Sequence, residues 1–254
     1  MKVAVINLSG NTGKTTLSKH LLAPLLNARR VQIEDVNSSD GTPDIEVTAG
    51  KFKTLAAQLN VAGDDENFVI DIGASNAKSM IEHFSALRST RSAIDYWIIP
   101  VVPAAKQKTD SINTAATLME IGVDPKKIVM VLNNVTDTES VEYDFKTIFD
   151  GGKLGVQVAT QVVLANEVFE LLKNENNSVF DLANNRPDFK TLIKAARDAG
   201  DSNALNALGV RMVTQDLAED AVENLRGVFA SMMLDQPMKS TTSKRPLSAV
   251  LTTA

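Results

Sequence analysis

Residues 9 to 16 read Ser-Gly-Asn-Thr-Gly-Lys-Thr-Thr, an unbroken run of small, polar and cationic side chains. Gly10 and Gly13 let a backbone turn tightly and approach a ligand closely, while Lys14 adds a cation and Thr15 and Thr16 add hydroxyls. Set between a strand and a helix, such a run turns the N–H groups of Gly10, Asn11, Thr12, Gly13, Lys14, Thr15 and Thr16 toward a common point. A helix N-terminus favours negative charge through unpaired amides and its dipole, so the expected ligand is a phosphate group. Lys14 would stand between a β- and a γ-phosphate, Thr15 would offer its hydroxyl to Mg2+, and Thr16 would lie near the α-phosphate. The common loop G-x-x-x-x-G-K-[ST] has a glycine where this chain has Leu8.

A phosphate site of this type also needs a carboxylate to hold the water shell of the metal, at the end of another strand. FVIDIG, at 68 to 73, supplies Asp71 after an apolar run, followed by Gly73, whose N–H could sense a γ-phosphate. The same aspartate could instead cap a helix or form a turn. Asn133 and Asn134, after another apolar run, fit either a base-reading position or a turn.

The elements that must position these residues follow from periodicity. KVAVINL (2–8), RVQIEDV (30–36), NFVIDIG (67–73), DYWIIPVV (95–102) and KIVMVLNN (127–134) read as strands. Helices are expected from GKTTLSKHLLAPLL, KFKTLAAQL (51–59), AKSMIEHFSALRS (77–89) and KTDSINTAATLMEI (108–121). The alternation predicts an α/β class, a doubly wound and mostly parallel sheet, with ligands at the carboxyl ends of the strands. Residues 154–164 suggest a pair of short strands before a helix at ANEVFELLKN. The chain divides into a nucleotide-binding core (1–177), a helical C-terminal region packed on it (178–234) and a tail (235–254) whose composition reads as flexible.

Composition narrows the chemistry. The 254 residues, 44% of them hydrophobic, suffice for a large core. There is no cysteine, which excludes disulfides, thiolate nucleophiles and cysteine-held metals. The net charge of −5 gives no overall basic field toward nucleic acid. The two histidines, His20 and His83, are expected at surface or boundary positions rather than as ligands. No run approaches the roughly 20 apolar residues of a membrane span, and a cytoplasmic location is expected.

The spacing of SGNTGKT resembles the deviant Walker loop K-G-G-x-G-K-[ST] of the ParA/MinD ATPases, and VIDIGAS and IIPVVP resemble the strands that follow in them. Within that group the opening MKVAVINLSGNTGKTT is most similar to StbB-type plasmid stability and conjugation proteins. The likeness extends over about residues 1–165. It implies an ATP- and Mg2+-binding switch that forms a nucleotide-dependent homodimer and works through an adaptor protein encoded nearby. It also implies a surface such as DNA, for which the basic clusters at 88–91, 106–108 and 126–127 are candidates.

Two departures bear on turnover. The family's signature lysine falls on Ser9 and its second glycine on Asn11. Its D-x-D pair falls on Asp35-Val36-Asn37, and an asparagine can orient water but cannot accept its proton. The general-base role then shifts to Asp35, Asp40 or a partner, beside Lys14, and hydrolysis is expected to be slow. The family's base-reading asparagine maps onto Asn133. NNVTD in place of N-K-x-D favours ATP over GTP. Two other readings fit the same residues: a small-molecule phosphotransferase or ligase-like enzyme on this fold, and a degenerate nucleotide-binding interaction protein.

Overall fold

The computed structural model describes residues 1–34, 45–47, 52–63, 65–150, 154–232 and 234, with residues 45–47 described by backbone alone. Seven strands form one sheet: β1 (Lys2–Val5), β2 (Arg29–Ile33), β3 (Ile45–Val47), β4 (Phe68–Ile72), β5 (Tyr96–Val101), β6 (Ile128–Leu132) and β7 (Gln157–Val158). Their order is β3-β2-β4-β1-β5-β6-β7, and every pairing is parallel. Five strands coincide with the expected ones, and the short stretch around 154–164 supplies β7 and an isolated bridge between Val135 and Leu164. The additional strand, β3, is three residues long and sits at the sheet edge, too short for a periodic pattern to mark it in sequence.

Alternation along β1 explains the two layers of helices. Ala4 and Ile6 join Val31, Ile33, Ile70, Ile72 and Trp97 in a core roofed by α2 (Phe52–Val61), α3 (Ala74–Ala86) and α5 (Ala105–Glu120). Val3 and Val5 face the other way, with Val69, Ile98 and Val129, against α1. Helix α1 comprises a π-helical stretch, Thr16–Leu22, continued by an α-helical turn, Ala23–Leu26, which ends on Asn27 in the left-handed conformation. Side chains on both faces of β4, β5 and β6 are buried, which is why these strands read as nearly continuous apolar runs rather than alternating ones.

The expected helix at 77–89 is two helices. Leu87, with φ −102° and ψ 77°, breaks it into α3 and α4 (Arg88–Ala93). Helices α6 (Val141–Asp144) and α7 (Lys146–Asp150) are short additions after β6. Beyond β7 the expected helix at ANEVFELLKN shrinks to the single turn α8 (Val168–Leu171). It is followed by α9 (Val179–Asn184), α10 (Phe189–Asp198) and the 30-residue α11 (Ser202–Ser231). Helix α11 starts well before its apolar stripe, capped by Asp201 on the Ala204 amide, so propensity and the cap extend it where burial does not.

The helical region is built into the core. Val179 and Phe180 of α9 and Leu225, Val228 and Phe229 of α11 share one apolar cluster with Val3, Val5 and Leu21. Among the described residues no helix is long and apolar enough to cross a membrane.

Candidate functional site

The strand order reverses around β1, which has β4 on one side and β5 on the other. Such a switch point opens a crevice beyond the strand ends, and the chain leaves β1 there to form residues 8–13. Asn7 anchors the exit. Its side-chain amide donates to Pro100 O at 2.9 Å and to Ser111 Oγ at 2.7 Å, while its Oδ1 accepts from the Ser9 amide at 2.8 Å. The loop thus starts from a buried bracket joining β1, β5 and α5.

The loop itself needs two left-handed residues, Asn11 at φ 55° and Gly13 at φ 88°. A β-carbon at Gly13 would lie 1.9 Å from Asn133 Nδ2, which already donates to Thr12 O at 2.9 Å. Leu17 N–H closes onto Gly13 O at 3.0 Å, so the amides ahead of it head the helix. Gly10, Asn11, Thr12, Gly13, Lys14, Thr15 and Thr16 all line one cleft of about 620 Å3, together with Glu34, Asp71 and Asn133.

Lys14 is 8% exposed and donates to Ser9 O at 2.8 Å. Burial pulls its pKa below the ordinary 10.5, opposed by the nearby charges of Asp71 and Glu34. Ser9 is itself buried, and the Asp110 carboxyl is held below the usual range first by Lys106 and then by the Ser9 side chain.

Asp71 is buried beneath the loop. Its Oδ2 accepts from Ser18 Oγ at 2.7 Å and from Arg30 at 2.9 Å. Thr15 and Asp71 line the same cleft, so both donors expected for a metal are brought together. Among the described residues no group of three His, Cys, Asp or Glu could hold an ion. A divalent cation therefore fits this donor set only in company with phosphate oxygens.

Several expectations change. Gly73 N–H does not face the cleft as a free donor; it bonds Ile33 O at 3.0 Å because the β2–β4 ladder runs one residue past β4. His20 is not at the surface. It is 2% exposed, its Nδ1 accepts from the Val179 amide at 3.2 Å, and its ring lies 5.6 Å from that of Phe169. His83 packs on Phe52 with ring centroids 5.5 Å apart. Asp35, Asn37 and Asp40 lie outside the described residues, as does the tail at 235–254. In the basic clusters, Arg91 is tied to Phe84 O, Lys108 to Asp144 O and Lys127 to Ile94 O, while Lys106 pairs with Asp110.

Arg30, Ser18, Gln32 and the far wall of the cleft, formed by Leu164, Ala165, Asn166 and Phe169, are not singled out by any motif in the sequence. Arg30 and Gln32 alternate with Val31 and Ile33, a pattern that ordinarily marks a solvated strand face. Here that face is covered by α1.

No family model matches the chain, and no curated protein does. Solved structures do. The chain is similar to the MinC:MinD cell division protein complex of Aquifex aeolicus, with a TM-score of 0.51 and 14% identity over 71% of this chain and 88% of that one. It is also similar to an ATP complex of McdA from Cyanothece, with a TM-score of 0.50 and 13% identity over 94% of this chain and 98% of that one. The fold, a parallel α/β sheet with flanking helices, is like that of these two ATPase structures. The loop between β1 and α1 carries Gly10–Thr16, all of which line the cleft.

Proposed function

We propose that this chain is a ParA/MinD-like nucleotide-dependent switch that binds ATP with Mg2+ and hydrolyses it slowly. The observation that carries the reading is Lys14, buried at the head of α1 inside a cleft lined by every residue from Gly10 to Thr16. A desolvated ammonium beside a ring of helix-heading amides is a strong attractor for a polyphosphate. Lys14 and the loop amides bind the β- and γ-phosphates, and Thr16 lies by the α-phosphate. Thr15 and Asp71 are the residues that would hold Mg2+, which supplies charge neutralisation of the phosphate oxygens when bound. The nucleobase extends toward the wall of Leu164, Ala165, Asn166 and Phe169, with Asn133 and Asn134 at the near side. Asn133 then has two duties, since its amide also supports Thr12 O.

Slow turnover follows from what stands at position 9. A serine at this position carries no charge and is too short to reach a second subunit's phosphates, and this removes one source of transition-state charge compensation. The general base is assigned to Asp35. The resemblance of the opening residues to StbB-type proteins supports a role in plasmid stability, partition or conjugative transfer, exercised as a nucleotide-dependent homodimer with an adaptor protein. The ATP in the McdA complex belongs to that protein and supports the choice of nucleotide here.

Light scattering on the chain with ADP, with ATP and without nucleotide tests the switch. The expected result is a change of mass with ATP that Lys14→Ala abolishes. An unchanged mass in all three conditions overturns the switch. Saturable turnover with a small acceptor and no protein partner would point instead to a phosphotransferase.

A further inference from the structure

The far wall of the cleft is held from behind by α11. Asn224 accepts from the Leu164 amide at 3.0 Å and donates to Val162 O at 2.9 Å. Asn166, the polar side chain of this wall, donates to Leu217 O at 3.1 Å and accepts from the Val168 amide at 2.9 Å, so the protein itself engages both its nitrogen and its oxygen. The Ala165 amide donates to Val135 O at 2.8 Å. Glu170 and Lys173, which also line the cleft, pair with each other at 3.3 Å. The rest of the wall is apolar: Leu164, Ala165 and Phe169. Phe169 is half-buried and packs against the apolar cluster shared by α1 and α11, with its ring tilted 41° to that of His20 at 5.6 Å. Its seat is therefore fixed by the protein.

We propose that Phe169 is a specificity-determining residue of the nucleotide site, the platform on which a purine base stacks. This inference rests on the nucleotide reading above. The cleft of about 620 Å3 joins the loop Gly10–Thr16 to this wall, so one ligand can meet both. The loop end is polar and cationic and suits phosphates, whereas the Phe169 end offers a flat apolar surface, which suits a heterocycle. Every base has a π-face, and stacking on an aromatic side chain strengthens binding by about tenfold whatever the base edge carries. A purine covers more of the ring than a pyrimidine does, and Leu164 and Ala165 extend the surface beside it. With Asn166 engaged by Leu217 and Val168, this wall selects by the area of the base rather than by its hydrogen-bonding edge.

The test is calorimetric titration of the full chain, in excess magnesium, with ADP, UDP and pyrophosphate. Wild type is expected to bind ADP about tenfold or more tightly than pyrophosphate, with UDP between them. Phe169→Ala should weaken ADP by about tenfold and leave pyrophosphate within about threefold of wild type. An ADP affinity that Phe169→Ala leaves unchanged overturns the inference, as does an equal loss for pyrophosphate, which would mark a purely structural role. UDP bound as tightly as ADP by wild type overturns it too. If Phe169→Ala fails to fold by circular dichroism, Phe169→Leu keeps bulk against His20 without the ring and should show the same selective loss; a wild-type ratio of ADP to pyrophosphate affinity overturns the proposal. Fluorescence gives a second reading: in Phe169→Trp the added emission should be quenched by ADP and not by pyrophosphate, and no quenching by ADP overturns the stacking. Wild type that binds pyrophosphate, and ADP no more tightly, sinks this inference alone, whereas wild type that binds none of the three sinks the nucleotide site and the inference with it.

Discussion

Lys14 donates from Nζ to the carbonyl of Ser9, 2.8 Å away and five residues back in the same loop. The bond folds the loop around its own cation and holds the ammonium in the cleft before any phosphate arrives. Ordering a long side chain in advance removes part of the entropy that binding would otherwise cost.

Lys14→Met should therefore weaken ADP binding by about a hundredfold, the scale of a charge-assisted contact to phosphate. The pH dependence has two signs. Burial lowers the folded pKa below 10.5, so the unfolded chain keeps the proton to higher pH and stability rises with pH between the lowered value and 10.5. Phosphate affinity falls over the same interval as the ammonium loses its charge. Calorimetry on wild type should show this alkaline loss, and Lys14→Met should not.

Gly13→Ala should destabilise the fold by about 2 kcal/mol, combining a left-handed backbone with overpacking. The obstruction is a single group, Asn133 Nδ2 at 1.9 Å from the new β-carbon. Adding Asn133→Ala should therefore return part of the loss, leaving the backbone share. Urea denaturation followed by fluorescence of Trp97, the chain's one tryptophan, measures both.

Phe84 meets Trp97 edge-on at 4.8 Å and Phe52 at 5.0 Å, fully buried against the sheet. Phe84→Ala should cost about 3–5 kcal/mol, the cost of removing a fully buried ring and leaving a cavity. Phe84→Leu should cost clearly less. The same denaturation curves decide, and equal losses for the two would show that packing at this ring is not what holds α3 to β5.

Ser178 caps α9 reciprocally with Asp181: its Oγ accepts from the Asp181 amide, and the Asp181 carboxylate accepts from the Ser178 amide at 2.8 Å. Ser178→Ala should cost about 1 kcal/mol, as losses of such caps do. Hydrogen exchange should locate the loosening in α9 rather than in the sheet.

The chemistry-bearing stretches were legible because each coincides with an abrupt change of period. KVAVINL ends where SGNTGKTT begins, and FVIDIG ends an apolar run on a carboxylate, so the loop and Asp71 meet in the cleft as their positions imply. Tertiary relations were not legible. Arg30 and Gln32 look like a solvated face until α1 covers them, and nothing in RRVQI names Ser18 as a partner. His20 reads as a surface histidine because its burial depends on α9, which lies some 160 residues further along the chain. Gly73 illustrates a different limit: one extra rung of hydrogen bonding decides whether an amide is available, and no residue pattern records it.

The π-helical beginning of α1 has one more consequence. Lys19 donates to Leu172 O and Glu175 O, and His20 accepts from the Val179 amide, so two adjacent side chains of this helix hold the chain just ahead of α9 and at its first residue. The same helix begins at the loop that carries Gly10–Lys14. It cannot roll about its axis without stretching those bonds. A shift of the loop that heads this helix would therefore be felt where the chain enters α9.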